Sequence, residues 1–231
     1  FRASSGTIQN IYKTILGIPT PRELSLERIR EQYQNWETLP RVMKEHGYLP
    51  RFFYGGSLAW HRLYHFLNET GFEEIYGENS VEDVLHSRFG IFDEHLFDFV
   101  HNNLKYSTGN TFSFIMTLSN HPPYQMPETY KVKNLTIPSI LKQYANDEEY
   151  FRDRFNAFSY SDTALGHFIK KAKTEEYYKD TLFIITADHP VDYFSNWDFI
   201  SRYQLEKIPL LFYSPLLIEN KKGIINNRGT H

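Results

Sequence analysis

Cysteine is absent from all 231 residues. That excludes disulfide staples, thiolate metal sites and a cysteine nucleophile together. It leaves the compartment open, because cysteine-free chains occur on either side of a bacterial membrane. Long apolar runs are missing as well. The longest, Ile208 to Ile218, is broken by two prolines and falls short of the ~20 residues that cross a bilayer. The N-terminus carries no signal-peptide pattern. There is no basic excess either: 25 Lys and Arg stand against 28 Asp and Glu, a net charge of −3. That balance argues against a nucleic-acid partner. Internal repeats and low-complexity tracts are lacking. Aromatics are plentiful, at 17% of the chain within a 41% hydrophobic fraction, which excludes a disordered polymer. At roughly 150 residues per domain the length suits one large domain or two small ones.

Four apolar runs bounded by Gly, Pro or polar residues read as buried strands: Tyr48 to Tyr54, Phe112 to Leu118, Thr181 to Ala187 and Ile208 to Tyr213. Helical spacing lies between them. Ile8, Ile11, Tyr12, Ile15 and Leu16 share one face, as do Trp60, Leu63, Tyr64 and Leu67. Ala164, Leu165, Phe168, Ile169 and Ala172 form a third stripe, with Asp162 expected as its N-terminal cap. Strands alternating with helices predict an α/β sheet covered on both faces. The stretch from Pro122 to Asp147 lacks period and is expected to be a long loop, a feature that often carries function.

Three polar clusters sit where such a sheet places its chemistry. Ser4-Ser5-Gly6-Thr7 precedes the first amphipathic helix, where free N–H groups favour a phosphate or sulfate; an ordinary helix cap explains the same residues. Ser119-Asn120-His121-Pro122-Pro123-Tyr124 follows a strand, at the end where open α/β sheets bind ligands. His121 there suits an anion or a metal, or simply a proline-stiffened turn. Thr186-Ala187-Asp188-His189 ends another strand, and its carboxylate and imidazole can converge on one divalent ion.

Taken together, these residues resemble the sulfatase-like domains of the alkaline-phosphatase superfamily, in the branch of lipoteichoic acid synthases and phosphoglycerol transferases. Gly6-Thr7-Ile8 with Leu16-Gly17-Ile18-Pro19 is similar to the nucleophile helix of that branch. Trp36 to Gly47 resembles the helix that follows it. Phe52-Phe53-Tyr54-Gly55-Gly56, Trp60-His61-Arg62 and Gly71-Phe72 resemble further family elements. The most specific likeness is Leu118 to Tyr124. Tyr160 to Phe168, and Asp180 to His189 after it, resemble the helix and strand that lead to the metal ligands. The implied fold is a three-layer α/β/α sandwich of alkaline-phosphatase type. Residues 1–231 are expected to form one catalytic domain lacking its first strand and its C-terminal part.

The resemblance also implies roles. Thr7 becomes the nucleophile and a metal ligand, and Asp188 and His189 become metal ligands, with His231 a further one. Arg62 and His121 hold the anionic substrate, and Trp60 shapes the pocket. The cofactor would be Mn²⁺, Mg²⁺ or Zn²⁺. A further carboxylate ligand is expected upstream of Phe1, and Pro190 stands where the family usually has Gly. Formylglycine sulfatases are set aside, because the sequence around Ser4, Ser5 and Thr7 lacks their Pro and Arg.

The implied reaction is metal-dependent phosphoglycerol transfer through a covalent phospho-threonine. The donor would be an anionic phospholipid such as phosphatidylglycerol, and the acceptor a glycan or polyol. The parent protein would be membrane-anchored, with this domain on the extracytoplasmic face. Alternatives are a sulfatase-like phosphodiesterase or sulfuric-ester hydrolase, a phosphoethanolamine transferase, and a catalytically inactive accessory domain. The sequons at Asn68 and Asn134 carry little meaning in a chain resembling a bacterial family.

Overall fold

Leu49–Tyr54 forms strand β1, and all but its first residue are buried. Burial of successive residues means that both faces of the strand are covered, as in the middle of a parallel sheet. The computed structural model, which describes residues 6–17, 36–130, 148–189 and 208–216, bears this out. Strand β1 pairs in parallel with β2 (Glu74–Tyr76) on one side and with β3 (Thr111–Met116) on the other. The strand order is β2-β1-β3.

Alternation along β1 sorts the core into two layers. Phe52 and Tyr54 point to one face, where they meet Ile11, Tyr12, Ile15 and Leu16 of α1 (Thr7–Leu16). Leu63, Phe66 and Leu67 of α3 (Leu63–Thr70) complete that layer. Phe53 points to the opposite face, among Leu96, Phe97 and Val100 of α4 (Asp93–Lys105) and Ala164 and Phe168 of α5 (Glu148–Ala172). A short helix α2 (Leu39–Glu45), capped by the Thr38 hydroxyl, leads into β1. The expected three-layer α/β/α arrangement is therefore present.

The topology follows from handedness. From β1 to β2 the chain crosses through α3, then returns past β1 to β3 through α4. Right-handed crossovers running in opposite directions along a sheet place their helices on opposite faces. The reversal leaves a crevice beyond the carboxyl ends of β1 and β3, the usual ligand position in open α/β sheets. Arg51, only 8% exposed, ties the layers together. Its Nε lies 2.7 Å from Glu74 Oε2 of β2, and its guanidinium donates to Ser107 Oγ at 2.6 Å.

Strands β4 (Phe183–Thr186) and β5 (Leu210–Tyr213) pair antiparallel in a second, two-stranded sheet. Phe183 packs edge-on against Phe168 of α5, which fixes this sheet beside the second core layer. Ile184 and Phe212, register partners, face outward and stay exposed, and Leu210 and Leu211 are exposed too, so these two strands are not buried as their apolar runs predict.

The structure corrects two further local expectations. Asp162 is no cap: it lies inside α5, which begins at Glu148, because Phe151, Ala157 and Tyr160 extend the buried stripe toward the N-terminus. Trp60 and Tyr64 do not share one α-helical face with Leu63 and Leu67. Trp60–Arg62 is a 3₁₀ turn, α3 starts at Leu63, and Tyr64 is exposed. His61 and Arg62 adopt left-handed backbone, with φ of 48° and 54°, which breaks the helical phase. The described part of the expected long loop holds a 3₁₀ turn at Glu128–Tyr130. Its remainder, like Ser4, Ser5, Ile18, Pro19, Pro190 and His231, lies outside the described residues.

Candidate active site

Thr7 is the first residue of α1, with Gly6 in extended conformation as the N-cap. The backbone N–H groups of a first helical turn lack intrahelical acceptors, so the surroundings of Thr7 favour negative charge. Its side chain does not cap the helix. The Thr7 Oγ1–H donates instead to Asp188 Oδ2 at 2.6 Å, across 181 positions of sequence. That distance is at the short end for a hydroxyl–carboxylate bond, the range of charge-assisted pairs.

Asp188 leaves the end of β4. Its Oδ1 accepts the His189 backbone N–H at 2.8 Å, and its Oδ2 lies 3.5 Å from His189 Nε2. The end of β4 is pinned to the start of β5 by the Thr186 hydroxyl, which donates to Pro209 O at 2.7 Å. The structure thus brings Thr7, Asp188 and His189 together around one carboxylate oxygen. One hydroxyl, one carboxylate and one imidazole are suitable donors for a divalent cation of the Mg²⁺, Mn²⁺ or Zn²⁺ kind, and these three fit such an ion as part of its ligand set. Among the described residues no group of three or more His, Cys, Asp and Glu side chains gathers to hold a metal. The remaining ligands of a full set are not found there.

The other expected residues stand on the two segments that leave the crevice. After β1, Gly55 and Gly56 lead to Trp60 and Arg62. Trp60 is half-buried, with its ring 6.3 Å from Tyr54 and 4.7 Å from His61. Burial, and then the charge of Glu78, push the Tyr54 phenol up to about 12. It therefore stays a neutral wall of the crevice. Arg62 is exposed in its left-handed turn. Two consecutive non-glycine residues in that conformation are strained, a feature that gathers at functional sites.

After β3, His121 is exposed, and its Nδ1 lies 2.6 Å from Pro122 O. A carbonyl only accepts, so Nδ1 carries the hydrogen and Nε2 is left to face a ligand. On its other side the ring meets Phe89 at 5.2 Å. Trp60 and Arg62 thus follow the carboxyl end of β1, and His121 follows that of its neighbour β3.

A close backbone approach, not anticipated from the sequence, frames this end. The Ile91 N–H donates to Gly55 O at 2.8 Å. At Gly90, with φ of 155°, an added Cβ would lie 2.0 Å from Gly55 O. Gly90 is thus required for its segment to lie against the end of β1. The buried Asp93 was also missed; its signal was the polar start of the apolar run Leu96, Phe97, Val100.

Comparison with known proteins agrees with this fold. The family model described as Sulfatase matches residues 3–225. Phosphoglycerol transferase I of Escherichia coli (strain UTI89 / UPEC) is 25% identical over 174 residues, covering 70% of this chain and 21% of the relative. The lipoteichoic acid synthase-like protein YvgJ of Bacillus subtilis (strain 168) is 22% identical over 209 residues, covering 84% of this chain and 32% of the relative. Among solved structures, a protein in the alkaline phosphatase superfamily from Vibrio parahaemolyticus superposes with a TM-score of 0.76 at 28% identity. That alignment covers 93% of this chain and 50% of the solved one. The chain spans between a fifth and a third of the length of these two curated relatives.

Proposed function

Because the chain belongs to the sulfatase family, we propose that it carries the catalytic residues of a phosphoglycerol transferase. The observation that supports this most directly is the hydrogen bond from Thr7 to Asp188. It joins a hydroxyl at a helix N-terminus to a carboxylate at a strand end, and so orients the hydroxyl oxygen toward incoming phosphorus.

Thr7 Oγ1 attacks the phosphorus of a phosphodiester, and the bond from phosphorus to the leaving alcohol oxygen breaks. With phosphatidylglycerol as donor, diacylglycerol leaves and glycerophosphate stays esterified to Thr7. An acceptor hydroxyl of a glycan or polyol then displaces Thr7 and regenerates its hydroxyl. Asp188 holds the Thr7 hydroxyl in line and favours its loss of the proton. Arg62, whose planar guanidinium matches two phosphate oxygens, and the Nε2 of His121 stabilise charge on the non-bridging oxygens. Tyr54 and Trp60 give the donor an apolar wall. A divalent ion bound by Thr7, Asp188 and His189 would lower the pKa of the Thr7 hydroxyl and neutralise phosphate charge. His231, which lies outside the described residues, is a further candidate ligand.

The reading brings an extracytoplasmic location and a membrane-anchored parent protein. The named relatives, one a phosphoglycerol transferase and one lipoteichoic acid synthase-like, support the transferase reading on which this location rests. No helix among the described residues is long and apolar enough to cross a membrane. Any membrane-spanning helix would therefore lie outside them.

The test uses the full-length gene product with added Mn²⁺ and fluorescent phosphatidylglycerol in mixed micelles. Labelled diacylglycerol should appear, and Thr7→Ala should lower its rate by about 10³-fold or more. Denatured wild-type protein should carry glycerophosphate on Thr7 by mass spectrometry. Unchanged turnover in Thr7→Ala would overturn the mechanism. Free glycerophosphate in place of a transferred product would identify water as the acceptor, and so a phosphodiesterase.

A further inference from the structure

Asp93 opens α4 and is only 1% exposed. Its Oδ1 accepts two backbone N–H groups, from Leu118 and Ser119, each at 2.9 Å. Its Oδ2 accepts the Ser161 hydroxyl of α5 at 2.9 Å. In return, the Asp93 N–H donates to Ser119 Oγ at 3.0 Å, which satisfies one of the open donors of α4. A buried carboxylate without partners is strongly destabilising. Here three donors and the positive end of the α4 dipole compensate it.

The two amides belong to the segment that leaves β3, two and three residues before His121. The same brace reaches this segment at two further points. The Arg88 N–H donates to Gln125 Oε1 at 2.7 Å, and the Phe89 ring meets His121 at 5.2 Å. Residues 88 to 93 therefore grip the His121 segment before, at and after the histidine, and Asp93 supplies the charged grip. The core alone does not require this arrangement. A hydrophobic residue at the first turn of α4 would pack there, but it would leave the Leu118 and Ser119 amides without acceptors.

We infer that Asp93 is a positioning residue for His121, fixing the loop that aims the imidazole at the transferring phosphoryl group. The inference rests on the reading of His121 as a phosphate-binding side chain. Asp93 touches no substrate; it acts through the Leu118 and Ser119 amides.

The test is a double-mutant cycle in the lipid assay described above. Asp93→Ala should lower kcat by roughly 10²-fold, the scale of a displacement of about 1 Å in a reacting group, with little change in KM. Asp93→Asn keeps an oxygen for both amides, and Ser161 Oγ can then accept from its NH₂ group. This variant should restore kcat to within a few-fold of wild type. Asp93→Ala in a His121→Ala background should cost little beyond His121→Ala alone. Should Asp93→Ala fail to fold, the cycle is run under the same criterion with Asp93→Ser, which shortens the side chain that accepts both amides. Fully additive losses, or a change in KM alone, would overturn the positioning role while leaving the transferase reading intact if Thr7→Ala is inactive. Full activity in Thr7→Ala would overturn both.

Discussion

Thr7 carries a β-methyl group beside its hydroxyl, and the first turn of a helix restricts the rotamers of such a side chain. Its bond to Asp188 therefore joins an oxygen already limited in its freedom. Serine keeps the oxygen but gains rotamers, so Thr7→Ser should retain the covalent intermediate and lose about tenfold in kcat. Trapping glycerophosphate on residue 7 of the variant by mass spectrometry checks this. A Thr7→Ser variant that turns over without ever carrying glycerophosphate on residue 7 would mean that the hydroxyl oxygen is not the attacking atom. The pairing of Thr7 with Asp188 could not be read from spacing, because 181 positions separate them. In the sequence, only the family resemblance links them.

At the scale of elements, the end of β1 depends on one glycine. Any side chain at Gly90 meets the Gly55 carbonyl, and its positive φ disfavours L-residues regardless of space. Gly90→Ala should destabilise by about 2 kcal/mol or more and shift the glycine-rich turn that leads to Arg62. Chemical denaturation measures the first effect and kcat the second; a wild-type denaturation midpoint would refute the interlock. The strands that were legible, β1, β3, β4 and β5, share one property, a continuous apolar run, although only β1 is buried on both faces. Strand β2 was not legible, since Glu74–Tyr76 is three residues long and gives no period to detect. Helix α4 escaped because His95, Asp98, His101 and Asn102 dilute its buried stripe. The start of α5 was misplaced because Asp162, a good capping residue in isolation, sits within a helix whose earlier turns bury Phe151 and Tyr160.

At the scale of the molecule, the abundance of tyrosine sets an alkaline limit. Burial above all pushes the phenols of Tyr54, Tyr177 and Tyr178 up to about 12, and it raises Tyr12 and Tyr160 as well. In the unfolded chain each ionises near pH ~10. Above that pH the unfolded chain holds fewer protons than the folded one, so stability falls as pH rises. Tyr213 opposes this trend, since hydrogen bonding from Tyr178 lowers it. Melting temperatures should stay flat up to about pH 9 with respect to these groups and then drop towards pH ~11. A melting temperature that rises over that alkaline span would contradict the burial of these phenols.

The position of β1 between two parallel partners also shapes how the chain folds. Neither neighbour can zip up from a tight hairpin, since parallel strands need a crossover. Joining Arg51 to Glu74 closes a far shorter loop than joining Leu49 to Thr111, and loop closure costs more entropy as the loop lengthens. The unit of β1, α3 and β2 is therefore the natural nucleus, with β3 docking on it later. The segment that bears His121 follows β3, so it is put in place after the unit of β1, α3 and β2.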